Sequence, residues 1–339
     1  MKWRIPHFCL AAAWLLLLSL PAVPYASAAG GTVRLYVAFS PGGALDIAAR
    51  ALARAAEKDL GKSIVVQNMP SGAGMTGVTR LTESRPDGST LAACVSNALI
   101  FIPRQNGAPY TIHDVEPLLT FGQASPVLVT RPDAPWKDMD AFLDATRRSA
   151  GAMRIGVPGL GTPSHIALAL MAAKDPSLKW RFVPFGGSGE AEAALLGGHV
   201  DAAASGALPR VKNGQLRPLM TLAGTGIPSL PDVPSLTDKG CSDPGRGDAT
   251  FVLLAPAGTP ESTLERLSLA FEKAAKSDAY RKALEGFSVT PALRNRQEAG
   301  AFLEQAWQEE GEILKAAGIA DRPAAFPAGE NARNRSPKE

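Results

Sequence analysis

The chain holds 339 residues, 45% of them apolar and 20% charged, with a formal charge of +3. That length serves one large domain or two medium ones. The near-neutral balance, with no basic cluster interleaved with aromatics, excludes nucleic acid and other polyelectrolyte partners.

In chain order, the first feature is the apolar run "FCLAAAWLLLLSL", preceded by Lys2 and Arg4 and followed by Ala26-Ser27-Ala28. A basic end, a short apolar stretch and small residues at a cleavage site make a secretory signal peptide over 1–28. The run falls short of the roughly 20 residues of a transmembrane helix. Export is therefore expected. Cys9 leaves with the leader, and Cys94 and Cys241 remain, free to pair or not. Four histidines, none paired at ligand spacing, give no metal signature.

Strand, loop and helix then alternate. "TVRLYVAF" is a β-rich run broken by "SPGG". "ALDIAARALARAAEKDLG" places Leu45, Ala48, Ala49, Leu52, Ala55 and Ala56 on one helical face, with Gly61 closing the helix. "SIVVQN" and "STLAACVS" are the next strands. The middle of the chain repeats the grammar: "AMRIGV" leads through "PGLGTP" to "SHIALALMAAK", "WRFVPF" through "GGSG" to "EAEAALLGG", and "HVDAAAS" follows. Alternation of this kind predicts parallel α/β sheets. "TIHDVEPLLTFGQASPVLVTRPDAP" reads as chain crossing to a second lobe, and "LRPLMTLAG" and "FVLLAPAGTP" as the returns. Thr259 and Pro260 read as N-cap and first residue of a helix, and a last helix covers about Arg296–Ala317. The expected organisation is a first lobe of 32–122 and 225–320, a second lobe of 123–224, and a disordered tail over 321–339.

Gly72-Ala73-Gly74-Met75-Thr76-Gly77 matches the dinucleotide fingerprint G-x-G-x-x-G in a strand–helix context. A nucleotide site also needs an acidic residue ending the following strand. That strand ends Val95-Ser96-Asn97, and Asp87 precedes it. No cofactor is expected. "SPGGALD", "PSGAGMTG", "PGLGTPSH" and "GGSGE" share another property: each follows a strand, opens a helix and lacks Lys or Arg. Ligands of such sheets bind at the carboxyl ends of the strands. An anion there would be held by backbone N–H groups, hydroxyls and helix N-termini. Asp46, in a first helical turn, either braces its loop or accepts an ammonium. Ser164 and His165 adjoin but lack a carboxylate partner, and no G-x-S-x-G elbow surrounds Ser188, so no catalysis is expected.

Taken together, "VRLYVAFSPGGALDIAARALA", "VVQNMPSGAGMTG", "RPDGSTLAACVSNA", "GLGTPSHIALALM", "VPFGGSGEAEAALLGGHVDAAAS" and "LPDVPSLTDKG" resemble, in order and spacing, the Bug-type extracytoplasmic receptors of tripartite tricarboxylate transporters. The resemblance runs from about Val33 to Ala317. It implies an α/β, two-lobed periplasmic binding protein (type II-like), a monomer that closes over a small carboxylate and passes it to membrane permease subunits. A co-receptor presenting its closed form to a sensor kinase is the alternative. A secreted hydrolase or oxidoreductase would instead need the missing acid or triad. Carried over by motif, the ligand residues are Ser40, Pro41, Gly42, Gly43 and Asp46, then Ala73 and Gly74, then Ser96 and Asn97. From the other lobe come Thr162, Ser164, His165, Gly187, Ser188 and Ser205. The chain departs from the family pattern at Ser40, where proline is usual, and in "MPSGAG", where an arginine precedes the proline. "GTGIPSLPDVPSL" likewise lacks a basic residue.

Overall fold

A computed structural model describes residues 31–222, 226–241, 248–285, 287 and 289–318. The expected signal peptide (1–28) and the expected disordered tail (321–339) lie outside the described residues. Among the described residues no helix is long and apolar enough to cross a membrane.

The first half opens with β1 (Val33–Val37), α1 (Ala44–Leu60), β2 (Ile64–Asn68), a 3-10 turn at Gly72–Gly74, α2 (Met75–Thr82), β3 (Thr90–Val95) and α3 (Asn97–Asn106). β4 (Val115–Ala124) and β5 (Val127–Thr130) follow with only two residues between them. Next come α4 (Met139–Arg148), β6 (Arg154–Val157), α5 (Pro163–Lys174), β7 (Arg181–Pro184), α6 (Ser188–Leu196), β8 (Ala202–Ser205), α7 (Leu208–Lys212) and β9 (Arg217–Thr221). The chain ends in β10 (Ala249–Pro256), α8 (Glu261–Ala275), α9 (Asp278–Leu284), β11 (Val289–Thr290) and α10 (Arg296–Ala316).

These strands form two sheets. One runs β11-β4-β10-β3-β1-β2 and the other β7-β6-β8-β5-β9. β1 pairs in parallel with β2 and β3, and β6 with β7 and β8, as the βαβ alternation requires. The strands adjoining the crossings depart from the all-parallel expectation: β10 is antiparallel to β3 and β4, and β5 to β8 and β9. A strand that returns from the neighbouring sheet without a crossover helix arrives running the other way. Pro218 sits in β9 at a sheet edge, where a missing N–H costs no central ladder bond.

Each sheet has its own apolar packing. α1 buries Leu45, Ala48, Ala49, Leu52, Ala53, Ala56 and Leu60, and packs on β1, β2, α8 and α9. Ala53 thus takes the buried place expected of Ala55, which is only half-buried. Burial of one side chain such as Leu52 contributes about 2 kcal/mol. Cys94 lies in the core around the first sheet and Cys241 in a cluster against the second, and both thiols are free. Burial pushes the Cys94 thiol up to about 12. At the start of α8 the expected cap shifts by one residue: Pro260, with ψ 138°, is itself the N-cap. The Thr259 hydroxyl instead donates to the Pro256 carbonyl at 2.7 Å.

The two crossings are tied together. Gln123 and Ser125, at the end of β4 and just beyond it, both donate to the carboxylate of Asp248, which leads into β10.

Candidate functional site

Helices α1, α5 and α6 each start at the carboxyl end of a strand: α1 after β1, α5 after β6 and α6 after β7. Their N-caps are Gly43, Thr162 and Gly187, and none makes a side-chain capping bond. The first N–H groups of a helix have no acceptor within it. Here those groups carry the positive end of the helix dipole with no side chain bonded to them at the cap, while Asp46 and Glu190 stand in the first turns of α1 and α6.

All three starts open onto one cavity of about 60 Å³. Its polar wall consists of Ser40, Thr162, Ser164, Ser188 and Ser205 with backbone at Gly43, Gly187 and Gly206, and its apolar wall includes Phe39, Leu45, Val95, Pro126, Pro158 and Phe251. Among the described residues, none that lines the cavity is charged. The β4–β10 ladder shifts register between Phe251 and Val252, a bulge beside the cavity wall.

Behind the wall, one device recurs three times. A loop glycine donates its N–H to a side chain four residues ahead, inside the first turn of the helix. Gly42 donates to Asp46 Oδ2 at 3.0 Å, Gly161 to His165 Nδ1 at 3.1 Å, and Gly186 to Glu190 Oε2 at 3.0 Å. Each acceptor closes its loop over the helix start and fixes the direction of the remaining amides.

The three acceptors differ in surroundings. The Asp46 carboxylate also accepts from Arg50 Nε at 3.0 Å and from Asn68 Nδ2 at 2.8 Å. Arg50 Nη2 donates in turn to Asn68 Oδ1 at 2.8 Å, and Asn68 Nδ2 reaches the Phe39 carbonyl at 2.9 Å. Asp46 therefore braces its loop and does not face the cavity. His165 is 7% exposed and stands edge-on to Phe182 at 4.7 Å. Burial lowers its pKa to about 4, so it is neutral and accepts through Nδ1. Glu190 is exposed and takes a second hydrogen bond, from the Ser40 hydroxyl.

That bond joins elements of the two sheets, as do two others. Ser40 N–H donates to the Gly186 carbonyl at 3.1 Å, and Asn97 Nδ2 to the Gly161 carbonyl at 2.6 Å. A fourth contact is steric. Gly159, at φ +120°, faces Ala73 so closely that a Cβ there would stand 2.8 Å from Ala73 Cβ and 3.0 Å from its Cα.

Of the residues carried over by motif, Ser40, Gly43, Thr162, Ser164, Gly187, Ser188 and Ser205 line the cavity. Pro41 and Gly42 form the exposed loop tip. Ala73 lies on the contact with Gly159, and Gly74 packs toward Ala98 and Phe39. Ser96 and Asn97 face a neighbouring cavity of about 180 Å³ shared with α10 residues such as Phe302 and Glu310. Asp46 and His165 are braces. Sequence reading missed Arg50, Asn68, Glu190 and Asp248. Arg50 carried a signal, four residues beyond Asp46 on the same face. Glu190 stands at the third helical position, where acidic side chains turn back to loop amides. Asn68 and Asp248 gave none, because their partners are distant in sequence.

The Glu192 carboxyl is raised above its ordinary value by burial, opposed by Arg210 at 2.7 Å. The Ser205 hydroxyl lies beside Glu192 but outside normal hydrogen-bond geometry, and it has no bonded partner among the described residues.

The profile of the tripartite tricarboxylate transporter family receptor matches residues 48–319. The Cupriavidus necator protein described as "UPF0065 protein in gbd 5'region" is 30% identical over 85% of this chain and 88% of its own length. Protein BugT of Bordetella pertussis is 27% identical over 84% and 89%. Among solved structures, MatC from Rhodopseudomonas palustris with bound malate superposes with a TM-score of 0.75 at 26% identity, covering 84% of this chain and 98% of that one. The periplasmic binding protein BugD gives a TM-score of 0.79 at 20% identity, covering 85% and 98%, a likeness of fold. The fold is thus the two-lobed α/β architecture of periplasmic binding proteins. The chain belongs to the tripartite tricarboxylate transporter receptor family.

Proposed function

We propose that this chain is a periplasmic receptor that captures a small carboxylate between its lobes and hands it to the membrane subunits of a tripartite transporter. The carrying observation is the convergence of three helix starts without side-chain caps, together with five hydroxyl side chains, on one uncharged cavity. Unpaired N–H groups and aligned dipoles favour an anion there without any guanidinium or ammonium. Residues 32–122 and 225–320 form the lobe that supplies Ser40 and Gly43, and residues 123–224 the lobe that supplies Thr162, Ser164, Gly187, Ser188 and Ser205. Closure is driven by differential contact: a ligand that touches both lobes binds the closed form better than the open one. The protein performs no chemistry on its cargo, and it acts as a monomer. The leader over 1–28 directs export.

Gly43 offers the test. A Cβ added there meets only the Ser40 carbonyl, at 3.6 Å, so the fold tolerates a side chain. A larger group reaches into the cavity. Gly43→Leu is expected to abolish carboxylate binding in calorimetry while far-UV circular dichroism and the melting temperature of the free protein stay close to wild type. Unchanged affinity in that variant overturns the assignment of the cavity as the carboxylate site.

A further inference from the structure

We infer that the cargo is a short monocarboxylate with an aliphatic body, not a di- or tricarboxylate; this inference rests on the proposed role of the cavity as a carboxylate site. The polar groups of the cavity gather at the three helix starts, with the Ser205 hydroxyl, 1% exposed and without a bonded partner among the described residues, added to them. That set provides for one carboxylate. The side chains of the rest of the wall, including Leu45, Val95, Pro126 and Phe251, are apolar.

A second carboxylate in that remainder would find no cation and no helix start among the described residues, a state that folded proteins avoid. Two charged side chains that adjoin wall residues make it worse, because both are acidic. Glu190 accepts from Ser40, and Glu192 lies beside Ser205. Arg210 compensates Glu192 at 2.7 Å, whereas Glu190 accepts from a backbone N–H and a neutral hydroxyl. Size points the same way. A cavity of about 60 Å³ matches roughly four to six water-sized volumes, room for a carboxylate and a few carbons.

The test is a titration panel on the wild-type chain, cleared of any bound ligand by dialysis after unfolding and refolding. Isovalerate and butyrate are compared with succinate, malate and citrate by calorimetry at neutral pH, where every carboxylate in the panel is largely ionised. The expected result is that isovalerate or butyrate binds at least tenfold more tightly than any of the other three. Succinate, malate or citrate binding within tenfold of the monocarboxylates, or better, overturns the inference while leaving the cavity as a carboxylate site. Absence of binding by every acid in the panel overturns the inference and the proposed function together.

Discussion

The loop before α1 and the loop before α5 do the same job with opposite chemistry. Both hold a glycine amide on a side chain four residues ahead, and both present free helix N–H groups to one cavity. The first uses a buried carboxylate with Arg50 and Asn68 around it; the second uses a neutral imidazole packed on Phe182. A carboxylate beside a helix start adds negative charge where an anion is meant to bind. The guanidinium of Arg50, on both oxygens of Asp46, offsets it. An uncharged acceptor needs no such compensation, and none surrounds His165. The comparison teaches that each brace can be chosen for its hydrogen bond alone if its charge is cancelled or absent, which leaves the dipoles to govern the cavity.

Breaking the charged brace should have the largest effect. Asp46→Ala takes one acceptor from each of Arg50, Asn68 and the Gly42 amide, at about 3 kcal/mol of stability. Urea unfolding of the variant against wild type reads this loss; a change below about 1 kcal/mol would show that the network does little for the loop.

The neutral brace predicts a pH dependence instead. In the folded chain His165 titrates at about 4, against an ordinary value of 6.5. Between those values the unfolded chain binds the extra proton and the folded chain does not, so stability falls as pH drops through this window. A shift of this size corresponds to about 2–3 kcal/mol lost by the bottom of the window. Denaturation midpoints measured from pH 7 to pH 4 should flatten in His165→Gln, which keeps an acceptor but does not titrate. An unaltered acid limb assigns the loss to other groups.

Gly159→Ala tests the place where the two loops' lobes touch. The short approach to Ala73 leaves no room for a side chain unless the lobes part, and the φ of +120° strains any residue but glycine in either form. Ligand affinity should fall about 30-fold, or about 2 kcal/mol, on top of the roughly 1–3 kcal/mol of stability that the strained φ costs the free protein. Small-angle scattering with and without ligand would reveal whether closure is what suffers.

The smallest effect belongs to the third brace. Glu190→Gln retains a hydrogen bond to the Gly186 amide and to Ser40 but removes the charge. The inferred monocarboxylate should bind about equally well, and succinate about fivefold better, since a rim carboxylate no longer opposes it. Equal affinities for succinate in both proteins would remove Glu190 from any part in selectivity.

Several of these parts were legible before any coordinates. The apolar spacing of α1, the Gly61 stop, and the Thr162–Pro163 start of α5 are local, and the structure has them where the spacing put them, save that Ala53 is buried in place of Ala55. The missing acid that argues against a nucleotide site at Gly72–Gly77 is likewise a property of the chain itself. What the pattern could not give was which way each residue of a loop points. Asp46 and His165 lie in the same motifs as Gly43 and Ser164, yet two face the loop interior and two face the cavity.

The sequence by itself determined the elements, their alternation and the presence of amide-rich turns, since those depend on neighbours within about four residues. Only the tertiary structure decided that three of the turns share one cavity and that Ala73 instead meets Gly159. It also decided that Asp248 ties Gln123 and Ser125 at the crossings. Those contacts join residues far apart in the chain, and nothing in their local spacing records the partner; the approach of two sheets does.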